Sequence, residues 1–215
     1  MPNDYYNQLE NGIIALLNII KEYKNKDSIE IEIRLGQIES GSFRPGLGSK
    51  IFYDKICTIL DTNKNWKDVI KTQTEEIVNN GHKKITYKNC KKINKHIYIK
   101  KEKLKTIDLT YENTPYDLRM CVSTEIESTE KFKIGIIRKK DRISYVHNDY
   151  RIDITKVIQI DNTVESEIYE LEIELLNLDS EISDKYRAHS ALLLIHDIIN
   201  MCESIIPESK LKIIK

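Results

Sequence analysis

Charged and apolar residues alternate within two stretches of the chain, residues 28–35 near its start and residues 167–176 nearer its end. Because successive side chains of a β-strand point to opposite faces, each stretch predicts a strand with one apolar and one charged face. A charged face usually lies in water, so one such strand alone indicates only a half-buried sheet. The charged positions are Glu30, Glu32, Arg34, Glu170, Glu172 and Glu174.

Most of the chain between these stretches has the pattern of further strands joined by short turns. Strands are predicted over 72–78, 83–87, 95–104, 117–127, 131–146 and 150–160, with 105–111 either continuing its predecessor or starting another strand. Amphipathic helices are predicted over 4–24, 49–60 and about 183–204, and the glycines and proline of 41–48 predict a loop. Short turns imply antiparallel neighbours, and a sheet of eight or nine strands tends to curl or close. We expect a single domain over residues 1–215.

Two more of the predicted strands carry polar side chains at a two-residue spacing. One is basic and the other is mixed, and the positions are Arg138, Lys140, Arg142, Arg151, Asp153 and Thr155. In a closed barrel with a polar interior, these faces would converge on the axis together with the acidic ones. Hard divalent cations prefer carboxylate ligands, and lysine and arginine bind phosphate. The combination predicts a pocket for a metal ion and a triphosphate.

The composition narrows the classes of protein further. Hydrophobic residues make up 40% and charged residues 32% of the 215 residues, which indicates a folded but highly charged chain. The 34 basic and 34 acidic residues cancel, which argues against a protein that merely coats nucleic acid or a membrane. The four cysteines lack metal-ligand spacing, and the sequence has no signal peptide or membrane-spanning run, so we expect an intracellular, reduced protein.

Several other chemistries are excluded because their motifs are missing. The segment Gly46-Leu-Gly-Ser-Lys50 lacks the spacing of a phosphate-binding P-loop. No cysteine is followed six residues later by the arginine of a cysteine phosphatase, and no Lys-x-Asp-Gly nucleotidyl-transfer motif is present. The five histidines form no metal-binding pair, so we expect them at surface or packing positions.

Five short motifs occur in a fixed order between about residues 28 and 176. They are Glu30-Ile-Glu-Ile-Arg-Leu-Gly36, Phe43-Arg-Pro-Gly46, Lys140-Asp-Arg142, Arg151-Ile-Asp-Ile-Thr155 and Glu170-Leu-Glu-Ile-Glu174. In this order the set resembles the triphosphate tunnel metalloenzymes. Within that family it is similar to the fungal and viral RNA 5′-triphosphatase branch, including the triphosphatase domains of mimivirus-type capping enzymes.

The resemblance implies a fold and an activity. The implied fold is of the α+β class, a closed antiparallel eight-stranded β-barrel with helices packed outside, mainly from the two chain ends. The implied activity is hydrolysis of the γ-phosphate of 5′-triphosphate RNA, the first step of mRNA capping, with Mg²⁺ or Mn²⁺ as cofactor and nucleoside triphosphates as further substrates. Guanylyltransferase and methyltransferase modules in the same polypeptide are implied as partners, without a membrane. The implied location is the host cytoplasm, in a viral factory, or the virion.

The resemblance also assigns roles residue by residue. The implied metal ligands are Glu30, Glu32 and Glu174. The implied phosphate-binding residues are Lys140, Arg142, Arg151, Lys84, Lys101 and Arg138. Catalytic roles fall on Glu125, Glu172, Glu170, Lys140 and Arg142, and supporting roles on Asp153, Thr155 and Arg34.

Some positions and the substrate have alternatives. Lys84 stands where an arginine is expected, Lys101 and Lys103 also fit a solvated strand edge, and Arg138 fits a place outside the site. Asp153 also fits a brace for an arginine, and Thr155 fits simple packing. The alternative functions are cleavage of another triphosphate, such as inorganic or thiamine triphosphate, and binding of nucleic acid without catalysis.

Overall fold

The fold is given by a computed structural model, which describes residues 3–22, 28–88, 96–110, 116–131, 135–177, 190, 193, 194, 196–198 and 200. Two complete helices and nine strands lie in this part of the chain. In order they are α1 (Asn3–Glu22), β1 (Ile29–Glu39), β2 (Ser42–Pro45), α2 (Lys50–Thr62), β3 (Asp68–Asn79), β4 (His82–Lys88), β5 (His96–Leu109), β6 (Asp117–Glu127), β7 (Ile136–Val146), β8 (Tyr150–Asp161) and β9 (Val164–Leu175). The described positions from 190 to 200 are helical, and the rest of the predicted 183–204 helix lies outside the described residues.

Eight antiparallel strands close into a barrel. Their order is β1-β6-β5-β4-β3-β7-β8-β9, and β9 pairs back onto β1. Strand β2 pairs with the end of β1 beside this closed ring. The predicted closed eight-stranded barrel is therefore confirmed. Closure matters for the interior, because the side chains of one face of every strand then point toward a shared axis.

The apolar faces of β1, β6, β8 and β9 lie outside the cavity, in one buried core with helix residues. In α1, Ile13, Leu16 and Leu17 are buried in the same core as residues of β1 and β6. The fit is close at Gly12, where an added Cβ would lie 2.5 Å from the Met120 Cε. Burying an aliphatic side chain contributes about 1.5–3 kcal/mol, so this outer core stabilises the barrel and the interior does not have to.

The second helix and the segment after it cover another part of the wall. The Ser49 hydroxyl accepts a hydrogen bond from the Phe52 N–H and caps α2. At its other end, the Trp66 indole N–H donates to the Leu60 carbonyl over 2.8 Å, and the Trp66 ring packs on Tyr145 of β7. The outside of the barrel is thereby held by apolar and aromatic contacts.

Within the described residues, no helix has both the length and the apolar content to cross a membrane.

The structure differs from the sequence prediction in two local elements. The predicted loop over 41–48 contains the short strand β2, and an added Cβ on Gly36 would lie only 2.2 Å from the Arg44 carbonyl oxygen. Glycine at this position therefore allows the two strands to approach. Residues 105–109 continue β5 rather than starting a new strand, and a register shift lies between Lys103 and Lys105. Such a bulge bends a strand without ending it.

Candidate functional site

The interior of the barrel is a cavity of about 970 Å³. Every barrel strand contributes side chains to it, and most of its polar lining is charged. The charged residues that line it are Glu30, Glu32, Arg34, Arg44, Glu76, Lys83, Lys101, Lys103, Glu125, Arg138, Lys140, Arg142, Arg151, Asp153, Glu170, Glu172 and Glu174. Charges of both signs therefore share one partly enclosed space, in which their interactions are stronger than on an open surface.

An acidic wall forms where β1, β9, β6 and β5 meet. The register of β1 and β9 places Glu32 directly opposite Glu174. The Lys101 ammonium lies 2.8 Å from a carboxylate oxygen of Glu30, 2.8 Å from one of Glu32 and 3.1 Å from one of Glu125. The Lys101 side chain is only 10% exposed, so the interpretation of Lys101 as a solvated edge is wrong. Its neighbour Lys103 also lines the cavity but is exposed.

A second network joins the acidic wall to the basic strand β7. Glu172 forms ion pairs with two guanidinium groups: the Arg34 Nε lies 2.8 Å from one carboxylate oxygen, and Arg142 donates a hydrogen bond to the other over 3.3 Å. Arg34 also binds Glu32 over 2.7 Å. Arg142 in turn donates to Asp153 over 2.9 Å and to the Thr155 hydroxyl over 3.2 Å. Glu172 therefore links Arg34 of β1 to Arg142 of β7.

Two more ion pairs line the basic side, and one closes the end near β8. The Lys140 ammonium lies 2.8 Å from Glu76, and both side chains are 9% exposed. Arg138 binds Glu170 over 2.6 Å. The remaining pair is formed by Arg151, which contacts Glu174 and also binds Asp153 over 3.0 Å. Asp153, at 3% side-chain exposure, thus braces two arginines, as the sequence interpretation allowed.

The carboxylates of the cavity fall into two electrostatic groups. Burial opposes ionisation of Glu172 and Glu125, yet Arg34 and Arg142 hold the pKa of Glu172 far below its usual range. Lys83 and Lys101 lower the pKa of Glu125 to about 2. By contrast, burial raises the pKa of Glu174 to about 7 despite Arg151, with Glu30 adding to the effect. Burial also raises the pKa of Glu30, against the opposing effect of Lys101. Against the effect of burial, Arg34 and Lys101 lower the pKa of Glu32, so Glu30 and Glu174 are the wall carboxylates whose burial is compensated least.

The chemistry of this wall fits a divalent cation. Within the described residues, no three carboxylate, histidine or cysteine groups are already gathered around one point. Glu30 and Glu32 contact Lys101 instead, and Glu174 contacts Arg151. However, like charges directly opposite each other destabilise a strand pair, and the Glu32–Glu174 pairing calls for a nearby cation. The raised pKa values of Glu30 and Glu174 indicate that the side-chain cations compensate them incompletely.

Replacing Glu174 with glutamine is expected to stabilise the chelator-treated protein at about pH 8 and to change little at about pH 5. The pKa of this carboxyl is raised from 4.5 to about 7 in the folded protein. Folding thus favours the protonated form of Glu174, and stability is lost as the pH rises from about 4.5 to about 7. Glutamine stays neutral and escapes this loss. Urea unfolding of both proteins at the two pH values measures the difference. A variant less stable than wild type at about pH 8 would mean that the Arg151 ion pair outweighs burial.

The structure brings together all but one of the residues selected from the sequence. Glu30, Glu32, Arg34, Lys101, Glu125, Arg138, Lys140, Arg142, Arg151, Asp153, Glu170, Glu172 and Glu174 line the cavity, and Thr155 lies behind Arg142. Lys84 is the exception, because it does not line the cavity. The adjacent Lys83 does so, and its ammonium lies 2.7 Å from Glu125. The register of the β3–β4 hairpin, which pairs Val78 with Lys83, is the reason.

Glu76 is the other site residue that sequence reasoning missed. Both faces of β3 are polar in this region, so alternation along the strand does not separate an inner from an outer face. Only the pairing of β3 with β7 places Glu76 beside the basic strand, opposite Arg138 in register and in contact with Lys140. Lys83, in contrast, could have been selected from the sequence, because the Asn80-Gly81 turn fixes the register of the hairpin.

Comparison with known proteins identifies the family. Residues 58–190 match the family described as "mRNA capping enzyme, beta chain". The chain belongs to this family. It is 32% identical over 84 residues to the mRNA-capping enzyme subunit beta of Schizosaccharomyces pombe. That alignment covers 37% of this chain and 28% of the relative, so the matched part spans under a third of that protein.

Solved structures of capping-enzyme triphosphatases share the fold. The S. pombe Pct1 RNA triphosphatase matches with a TM-score of 0.67 and 19% identity, over 94% of this chain and 93% of that chain. The mimivirus capping enzyme triphosphatase matches with a TM-score of 0.56 and 17% identity, over 93% and 98% of the two chains. The resemblance of the sequence to the fungal and viral branch of the tunnel family is thereby confirmed.

Proposed function

We propose that this capping-family chain is a metal-dependent RNA 5′-triphosphatase that hydrolyses the γ-phosphate of 5′-triphosphate RNA and leaves a 5′-diphosphate end. The observation that carries the proposal is the linkage of Glu172 to Arg34 and Arg142. It joins a wall of carboxylates to a row of cations inside one cavity. A triphosphate with its divalent cation presents the complementary charges, negative to the basic side and positive to the acidic side.

The basic side chains would bind and orient the phosphate chain. Lys140, Arg142, Arg138 and Arg151 already face the cavity. Burial lowers the pKa of Lys140, and the Glu76 carboxylate opposes this and favours the charged form. Phosphoryl transfer depends mainly on positioning and charge neutralisation, which such fixed cations supply. Arg34, Asp153 and Thr155 would act as positioning residues, because they hold Arg142 or the carboxylate that it binds.

The carboxylates would divide into two roles. A Mg²⁺ or Mn²⁺ ion held by Glu30, Glu32 and Glu174 would supply positive charge for the phosphate oxygens. Glu172, Glu125 and Glu170 would orient the attacking water. Because the pKa of Glu172 is held so low, this carboxylate accepts a hydrogen bond at neutral pH but is a weak base. Water would attack the γ-phosphorus in line, the bond from that phosphorus to the β-phosphate oxygen would break, and inorganic phosphate would leave with the oxygen of the water, while the proton that the water loses would pass to a phosphate oxygen or to solvent.

Release of γ-phosphate from triphosphate-ended RNA, a nucleoside triphosphate and inorganic tripolyphosphate tests this proposal. We expect release of γ-phosphate from RNA to exceed release from tripolyphosphate. Release from the nucleoside triphosphate is expected to be weaker than release from RNA. Preference for tripolyphosphate would favour the alternative of another triphosphate substrate. RNA binding that is steeply weakened by salt and unaffected by chelators, without release, would favour a non-catalytic barrel.

A matched pair of variants ties the activity to the cavity. Lys83→Met is expected to lower γ-phosphate release by about a hundredfold, because it removes a cation that contacts Glu125. Lys84→Met removes the same charge from the neighbouring residue outside the cavity and serves as the control. Equal losses in the two variants would contradict this placement.

We further propose that the reaction is the first step of cap formation. Guanylyltransferase and methyltransferase modules in the same polypeptide and a viral location stay predictions.

A further inference from the structure

One side chain already occupies the acidic wall as a cation. Lys101 projects from β5 across β6 and reaches carboxylates on two strands, Glu125 of β6 and Glu30 and Glu32 of β1. The ammonium donates hydrogen bonds to Glu30 and Glu32, and its contact with Glu125 over 3.1 Å is an ion pair. Its position among the carboxylates is that of a small bound cation, although it belongs to the protein itself.

Lys101 differs in this respect from the other buried lysine of the cavity. Lys140 pairs with Glu76, a residue outside the proposed metal-binding set. Lys101 contacts two members of that set, Glu30 and Glu32, at 2.8 Å each. A divalent cation that used these two carboxylates would face the ammonium at short range, and two cations in a partly buried space repel strongly. Glu125 would remain as an acceptor for the ammonium, because it lies on β6 and is not one of the proposed metal ligands.

We infer that Lys101 is an internal counter-cation, which holds the acidic wall together in the metal-free protein and is displaced when a divalent cation binds. This inference rests on the proposed function, since it concerns the same metal site. It changes the role expected for Lys101 from the sequence, where the resemblance implied phosphate binding. Lys101 acts here as a positioning residue that competes with the metal for Glu30 and Glu32. When the metal binds these two carboxylates, the Lys101 ammonium moves toward Glu125.

Mn²⁺ binding to chelator-treated protein tests the inference without any measurement of activity. Free Mn²⁺ is followed by electron paramagnetic resonance during a titration of wild type, Lys101→Met, Lys101→Arg and Lys100→Met. Methionine keeps the approximate length of the side chain and removes the charge. Lys100 is the adjacent residue of β5, is exposed and does not line the cavity, so Lys100→Met is the matched control.

We expect Lys101→Met to bind Mn²⁺ about tenfold more tightly than wild type, a change that corresponds to about 1.4 kcal/mol. Without metal, the same variant is expected to unfold at a lower temperature than wild type. Added Mn²⁺ is expected to raise its unfolding temperature by more than it raises that of wild type. Lys101→Arg keeps the charge and is expected to bind Mn²⁺ with nearly wild-type affinity, as is Lys100→Met. Unchanged or weaker binding by Lys101→Met would overturn the inference.

A measurement on the wild-type protein keeps the inference testable if Lys101→Met does not fold. The ε-methylene signal of Lys101, assigned as the one missing in Lys101→Arg, is expected to shift when Mg²⁺ is added, while the Lys100 signal stays in place. An unchanged Lys101 signal at saturating Mg²⁺ would overturn the inference. If Lys101 behaves as a competitor but no γ-phosphate is released, the proposed function fails and the inference stands. If γ-phosphate is released but Lys101→Met binds Mn²⁺ with unchanged affinity, the proposed function stands and the inference fails.

Discussion

Replacing Glu32 with glutamine is expected to lower metal-dependent release of γ-phosphate by about a thousandfold and to leave the barrel folded. Glu32 has three charged neighbours in the acidic wall. It lies opposite Glu174, binds Arg34 over 2.7 Å and binds Lys101 over 2.8 Å. Glutamine preserves its shape but removes the charge that a metal ligand needs. The fold does not depend on it, because the apolar core lies outside the barrel.

A control on the same strand separates the lost site from a general effect of the substitution. Glu39 lies at the far end of β1, pairs with Arg44 and is about half exposed (49% of its side chain). Glu39→Gln is expected to retain activity, and circular dichroism and thermal unfolding check that both variants are folded. Near wild-type turnover by Glu32→Gln, with unchanged metal dependence, would contradict the placement of the metal on this wall.

Replacing Glu76 with glutamine is expected to destabilise the protein by about 3–5 kcal/mol. The substitution removes the partner of the Lys140 ammonium, which is 2.8 Å away and 9% exposed, and leaves a buried charge unpaired. The pKa of Lys140 is already lowered by burial, and loss of Glu76 lowers it further. Because the unfolded chain then binds more protons than the folded one, the variant gains stability as the pH rises toward about 10. Urea unfolding at several pH values measures both effects.

Two further variants test the cause of this loss. Glu75→Gln changes the neighbouring residue, whose ion pair with Lys88 is partly exposed, and is expected to cost less than about 1 kcal/mol. The double variant Glu76→Leu with Lys140→Met removes both charges and is expected to recover most of the stability of the wild type while abolishing activity. A loss below about 1 kcal/mol in Glu76→Gln would mean that Lys140 finds another partner or water.

The barrel was predictable because the strands have a strong two-residue period. The glutamates of β1 and β9 alternate with buried isoleucine and leucine residues, and short turns leave antiparallel pairing as the simple arrangement. Sequence alternation alone does not say which face is inside, however. In most half-open sheets the charged face is wet, and here closure of the ring turns it into the cavity lining.

The residues that were misplaced or missed depend on pairing between strands. Lys83 and Lys84 are equally basic, and only the hairpin register decides which one faces Glu125. Glu76 has no distinguishing pattern on a strand that is polar on both faces, and its role follows from its contact with Lys140 of β7. The contacts of Lys101 with Glu30 and Glu32 likewise join strands far apart in sequence. The contacts of Glu76 and Lys101 are properties of the closed barrel and leave no local signal, whereas the Asn80-Gly81 turn gives one for Lys83.

Release of γ-phosphate from RNA labelled at that position, before and after removal and return of a divalent cation, tests the proposed metal-dependent hydrolysis most directly. We expect release of inorganic phosphate and a 5′-diphosphate RNA product with Mg²⁺ or Mn²⁺. We also expect loss of release with a chelator, recovery on return of the metal, and no recovery in Glu32→Gln. Release that continues in the chelator, or an RNA product other than the diphosphate, would contradict the proposed function.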